Sequence, residues 1–172
     1  MTEKSFVFVK PPHSANNGAS ILAHLEDLLT EVTHFSRLSQ VKLAFPPVEL
    51  LECHYAHCRQ YDFFNKMVHD INVGGVVVAI YEGTDVVRDI VLATGKTDPL
   101  SCERWQIRRK YSRAPEGIAY SPDGCDSADA SAREKRYVDN VIHRSGSPAE
   151  ALKEIELWLE FMLVNGIYQP IK

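Results

Sequence analysis

Val76-Val77-Val78-Ala79-Ile80-Tyr81 is the clearest strand in the sequence. Its apolar run is continuous rather than alternating, so it reads as a strand buried on both faces or nearly so. Outward from it, helices lie on either side. Phe63 to Ile71 reads as one helix, and Val48 to about Cys58 as another that opens after Pro46-Pro47. On the far side, Asp85 to about Thr94 is a helix broken by Gly95-Lys96-Thr97-Asp98-Pro99.

Further out the pattern repeats. Residues 34–45 read as a strand closing at Pro46-Pro47. Before it, Ile21, Leu22, Leu25, Leu28, Leu29 and Val32 recur at helical spacing, with Glu26, Asp27 and Glu31 on the outer side. Asn16-Asn17-Gly18 reads as loop. Ser5-Phe6-Val7-Phe8-Val9 is a strand that ends at Lys10-Pro11-Pro12, because proline cannot donate to a ladder. Near the other end, Tyr137 to His143 reads as a last strand. Ser147-Pro148-Ala149-Glu150 supplies an N-cap, a proline at the first helical position and a capping-box glutamate. Leu152, Ile155, Trp158, Leu159 and Met162 line one face of that final helix. From Arg113 to Ala132, Pro115, Gly117, Pro122 and Gly124 interrupt any periodicity. A loop of about twenty residues inside a domain is often functional.

The order β-α-β-α-α-β-α-β-α predicts a ferredoxin-like α+β sandwich: a four-stranded antiparallel sheet with helices on one face plus a helical insertion. At 172 residues the chain suits a single domain, 1–172, with an inserted loop at about 113–132. A net charge of −4 argues against a broad nucleic-acid-binding face, so no nucleic-acid partner is expected. No apolar run approaches the roughly 18 residues of a membrane span, and the start of the chain does not read as a signal peptide. A soluble, cytoplasmic protein that does not contact membrane is the expectation. The cysteines Cys53, Cys58, Cys102 and Cys125 form no paired CxxC sets and would stay reduced there. In Cys53-His54-Tyr55-Ala56-His57-Cys58, positions 53/57 and 54/58 are helical neighbours. The two pairs point about 100° apart, which makes joint ligation awkward, and no metal ligand is assigned in the chain.

Chemistry concentrates in Asn140-Val141-Ile142-His143-Arg144-Ser145-Gly146-Ser147. A histidine ends a short apolar run, surrounded by small polar residues, just before a strong helix start. Held at the rim of a site, it can keep one ring nitrogen free as a nucleophile. Alone, such a histidine is more often an ordinary core or surface residue.

The wider pattern settles that choice. Phe8-Val9-Lys10-Pro11, His54-Tyr55 followed by Phe63-Phe64, Val77-Val78-Ala79 through Glu82-Gly83, Thr97-Asp98-Pro99, Ile107-Arg108, Asn140-Val141-Ile142-His143 then Ser145, and Glu154-Ile155 with Leu157-Trp158 occur in this order. In them the chain resembles the nucleoside diphosphate kinases over nearly its whole length. The resemblance implies a ping-pong reaction that passes the terminal phosphoryl group of a nucleoside triphosphate to a nucleoside diphosphate through a phosphohistidine. It implies that His143 is the nucleophile, Glu154 the carboxylate that orients it and Ser145 the hydroxyl beside it. It implies that Lys10, Tyr55, Thr97 and Arg108 hold phosphates, that Asn140 lies near ribose and phosphates, and that Phe63 stacks the base. Stacking tolerates any base. Mg²⁺ on the phosphates and a homo-oligomer (hexamer, tetramer or dimer) follow from the same resemblance.

The departures from the family are specific. The family's arginine six residues before the threonine is Val91 here. Loss of one such phosphate contact costs about 1.5–3 kcal/mol, roughly 10–150-fold. Arg88, nearly one turn earlier, and Arg144, where the family has glycine, are candidate substitutes. Lys10-Pro11-Pro12-His13 replaces Lys-Pro-Asp-Gly, Gly146 replaces an aspartate, and the segment before His143 is longer. These leave an alternative, a catalytically weakened nucleotide-binding relative acting as a regulatory or interaction module, in the latter case with the 113–132 loop docking a partner; the loop itself reads as a lid, a specificity loop or a disordered insertion.

Overall fold

The computed structural model describes residues 2–112 and 127–166. In chain order the elements are β1 (Thr2–Val9), α1 (His13–Asn16), α2 (Gly18–Thr30), β2 (Phe35–Leu43), α3 (Val48–His54), α4 (Phe64–Gly74), β3 (Val76–Thr84), α5 (Val86–Thr94), α6 (Ile107–Lys110), α7 (Ala128–Arg133), β4 (Ile142–Arg144) and α8 (Pro148–Val164). The strands form one sheet in the order β2-β3-β1-β4, with every neighbouring pair antiparallel. The expected ferredoxin-like, four-stranded antiparallel sheet is present. No helix among the described residues is long and apolar enough to cross a membrane.

β1 and β3 pair along their full length, from Thr2 opposite Thr84 to Val9 opposite Val77. Side chains alternate between faces along a strand. Phe6, Phe8, Val76, Val78 and Ile80 therefore share one core with Leu51 of α3, Met67 and Ile71 of α4 and Trp158 of α8. Val7, Val9, Val77, Ala79 and Tyr81 share the other with Leu22 and Leu25 of α2 and Ile90 of α5. Helices thus cover both faces of the sheet, which corrects the one-sided arrangement expected from element order. The reason lies in β3 itself: its run from Val76 to Tyr81 is apolar at every position and needs hydrocarbon on both sides. Burying each of its larger side chains stabilises the fold by about 1.5–3 kcal/mol.

Local details depart from expectation in five places. The last strand is Ile142–Arg144 rather than 137–143. Its partner β1 ends at Val9, and after the Lys10 N–H bond to the Val141 carbonyl the chain meets Pro11-Pro12, which offer no N–H. Asn16-Asn17-Gly18 is not an open loop, because α1 and α2 are separated by Asn17 alone. Gly18 lets α2 lie against β3: a Cβ there would sit 2.6 Å from Val77 Cγ2. The stretch read as a 113–132 loop ends in α7, where the Ser127 hydroxyl accepts from the Ala130 N–H. Residues 113–126 of that stretch lie outside the described residues. On α8, Ile155, Trp158 and Met162 are buried as expected, but Leu152 is 54% exposed and Ala151 takes the inner position. The Ser147 cap forms, accepting from the Glu150 N–H, while the Glu150 carboxylate accepts from Gly146 N rather than from the cap residue.

Candidate active site

β4 is an edge strand, and His143 sits at its centre opposite Phe8. The imidazole stacks on the Phe8 ring, with centroids 4.8 Å apart and planes at 19°. Its side chain is only 14% exposed. The Ser147 cap starts α8 so that Glu154, two turns along, returns to the end of β4. Glu154 Oε1 lies 2.9 Å from His143 Nε2, and Glu154 Oε2 accepts from the Ser145 hydroxyl at 2.5 Å. Ser145 is itself fixed by its backbone N–H to the Phe6 carbonyl. His143 Nδ1 makes no hydrogen bond to a described residue.

A second imidazole completes this buried unit. His54, at the end of α3, is 4.4 Å from the His143 ring, nearly perpendicular to it. Its Nδ1 accepts from the Trp158 indole N–H at 3.2 Å, so in the neutral ring the proton resides on Nε2. That Nε2 is 3.8 Å from Glu154 Oε1. Burial, and then the neighbouring His143, hold His54 well below the usual imidazole range. His143 is also held well below it, by burial first and then by Arg108, Lys10 and Arg144. Burial raises the Glu154 pKa, opposed by His54 and the Ser145 hydroxyl. His143 is therefore a neutral imidazole whose Nε2–H faces a carboxylate and whose Nδ1 lone pair is available.

In front of His143 lies a cleft of about 270 Å³ off the open edge of β4. Lys10, Tyr55, Phe63, Thr97, Arg108 and Asn140 all line it with His143, so the residues named from sequence converge. Glu154 and Ser145 are not in the lining and stand behind the imidazole. Lys10 Nζ donates to Asn140 Oδ1 at 2.5 Å, and Asn140 Nδ2 donates to the Thr97 carbonyl at 2.9 Å. Arg108 is buried. Its Nε and Nη2 donate to the Ile142 carbonyl and its Nη1 to the Gly95 carbonyl, which ties α6 to β4. Burial, then Arg144, lowers its pKa to about 10, so it stays charged at neutral pH. Phe63 is half-buried and stacks on Tyr61 at 5.2 Å with planes at 8°. Among the described residues, no carboxylate lines the cleft.

Of the two candidate substitutes for an arginine at position 91, Arg88 is outside the cleft, 70% exposed and paired with Asp85 and Asp89. Arg144 lines the cleft. The Cys53–Cys58 run does not gather as a ligand set: Cys53 is exposed while His54 turns inward to Glu154. Sequence reasoning did not count His54 or Trp158 as site residues. The available signals were the His54-Tyr55 pair and a tryptophan on a buried helix face, whose N–H requires an acceptor.

A family model described as nucleoside diphosphate kinase matches residues 3–162. A nucleoside diphosphate kinase of Synechococcus sp. is 31% identical over 95% of this chain and 92% of its own length. One from Saccharomyces cerevisiae is 33% identical over 92% of this chain and 86% of its own. Among solved structures, a transition state mimic of the Borrelia burgdorferi nucleoside-diphosphate kinase with bound vanadate and ADP has a TM-score of 0.73. It covers 99% of this chain and 93% of that one at 19% identity, a likeness of fold.

Proposed function

Because the chain belongs to the nucleoside diphosphate kinase family and is a phosphotransferase, we propose that its reaction runs through His143 as a phosphohistidine. His143 Nδ1 attacks the γ-phosphorus of a nucleoside triphosphate. The bond from that phosphorus to the β–γ bridging oxygen breaks, and the nucleoside diphosphate leaves with the electron pair. The imidazolium that forms keeps its Nε2–H toward Glu154, whose charge stabilises it. A β-phosphate oxygen of a second nucleoside diphosphate then attacks phosphorus. The P–Nδ1 bond breaks and the imidazole returns neutral.

Phosphoryl transfer demands positioning and charge stabilisation rather than covalent work by many groups. Lys10 and Arg108 supply cations, Tyr55, Thr97 and Asn140 supply polar donors, and Phe63 supplies a stacking face for the base. The nucleotide brings Mg²⁺ as part of the substrate. A cleft whose described lining holds no carboxylate fits a metal held by phosphates and water, where it would neutralise developing charge. Homo-oligomeric assembly and a cytoplasmic location belong to the same proposal, with sedimentation velocity and imaging of a tagged chain as their tests.

The observation that carries this reading is an imidazole anchored through Nε2, its Nδ1 without a hydrogen bond to any described residue, beside a cleft lined by Lys10, Arg108 and Arg144. The non-catalytic alternative is not favoured, because His143, Glu154 and Ser145 remain hydrogen-bonded as a unit. Incubation with ATP labelled at the γ-phosphate tests it. Acid-labile, alkali-stable label is expected on the protein, discharged by a nucleoside diphosphate and absent in His143→Ala. Label persisting in that variant overturns the assignment.

A further inference from the structure

Among the described residues, Arg88, Arg108 and Arg144 are the arginines to weigh for an anionic substrate, and their partners separate them. Arg88 lies outside the cleft, held by Asp85 and Asp89. Arg108 has Nε and both terminal nitrogens engaged by the carbonyls of Ile142 and Gly95. Arg144 is different. It lines the cleft, is half-buried, and makes no hydrogen bond or ion pair to any described residue. Its Nε is enclosed with no acceptor.

Consecutive residues on a strand point to opposite faces, so adjacent His143 and Arg144 would ordinarily serve different sites. Here β4 is last in the strand order and both side chains border the same cleft. A guanidinium carries five N–H donors in a planar fork suited to phosphate oxygens. Leaving such a group part-buried without acceptors is unfavourable, and a bound anion removes the deficit. Arg144 follows His143 directly in β4 and lines the same cleft, and its charge lowers the pKa of both His143 and Arg108. The carboxylates that bear on it are Glu150 and Glu154, neither in ion-pair contact.

We propose that Arg144 is a catalytic residue whose guanidinium engages the non-bridging oxygens of the phosphoryl group as it passes to and from His143. It supplies the cation that Val91 does not. This rests on the phosphohistidine reading above.

The test is rapid-quench measurement of phosphohistidine formation from labelled ATP in the full chain. Arg144→Gln is expected to slow transfer about 10- to 100-fold, the loss of a charge-assisted phosphate contact. Affinity for ADP, which lacks the transferred group, should change less than threefold. Arg144→Lys should recover part of the rate, and added guanidinium ion should accelerate Arg144→Ala but not the native chain. Arg88→Gln, outside the cleft, should stay within twofold of native. Transfer in Arg144→Gln within twofold of native overturns the proposal while leaving the His143 cycle standing. A native chain that takes no label overturns both. If Arg144→Gln does not fold, Arg144→Lys decides: an unchanged rate together with no guanidinium rescue of Arg144→Ala sinks the inference.

Discussion

Glu154 Oε1 lies 2.9 Å from His143 Nε2 although the two side chains arise from different elements, an edge strand and the helix that follows it. The contact fixes the ring's orientation and leaves Nδ1 without a hydrogen bond to any described residue. Replacing the carboxylate with an amide of similar shape removes the charge that an imidazolium needs. Glu154→Gln is expected to fold and to form phosphohistidine about 10- to 100-fold more slowly, as read by rapid quench. An undiminished rate would remove Glu154 from the mechanism.

Ser145 connects that carboxylate to β1. Its hydroxyl donates to Glu154 Oε2, and its backbone N–H reaches the Phe6 carbonyl. Ser145→Ala leaves a largely buried carboxylate oxygen without its donor. The expected loss is about 1–3 kcal/mol of stability. For a chain of this size that is a fall in Tm of roughly 2–4 °C per kcal/mol, measurable by calorimetry. Turnover should fall with it, because the carboxylate is freer to leave the ring.

The pH dependence follows from two buried imidazoles. Burial depresses both His54 and His143 well below their usual value of 6.5. Below that pH the unfolded chain takes up protons that the folded chain refuses, so stability present above it is lost as pH falls. Glu154, whose pKa is raised from 4.5, works in the opposite direction over the lower part of the window by binding a proton in the folded state. Urea midpoints should therefore decline from pH 7 toward 5. The rate of phosphohistidine formation should hold through pH 6.5, because His143 is still neutral there. A rate that halves near pH 6.5 would contradict the depressed pKa.

Arg108 joins α6 to β4 as well as facing the cleft. Arg108→Met leaves the Ile142 and Gly95 carbonyls without their guanidinium donors. A stability loss of about 2–4 kcal/mol is expected, together with weaker nucleotide binding. Urea denaturation and ADP titration read the two effects separately. Arg144→Gln, with no such bonds, should keep native stability, and that contrast distinguishes the two arginines.

Much of this molecule was legible as linear pattern. The uninterrupted apolar run of β3, the proline stop after β1 and the Ser147-Pro148 start of α8 are local signals, set by backbone and side-chain chemistry within a few residues. The spacing of His143, Ser145 and Glu154 relative to that helix start was readable in the same way. The short extent of β4 was not, since it depends on where its partner strand ends. Nor was the helix over Ala128–Arg133, whose alanines and serines carry no apolar period.

What folding alone decided was company. His54 and Trp158 are 104 residues apart, yet the indole N–H fixes the imidazole tautomer. Arg88 was as good a candidate as Arg144 until ion pairing to Asp85 and Asp89 held it outside the cleft. Periodicity specifies which face of an element is apolar, but not which distant face it will meet. Hydrogen bonds act over about 3 Å and screened charges over about 10 Å, so a residue's role is set only when packing has chosen its neighbours.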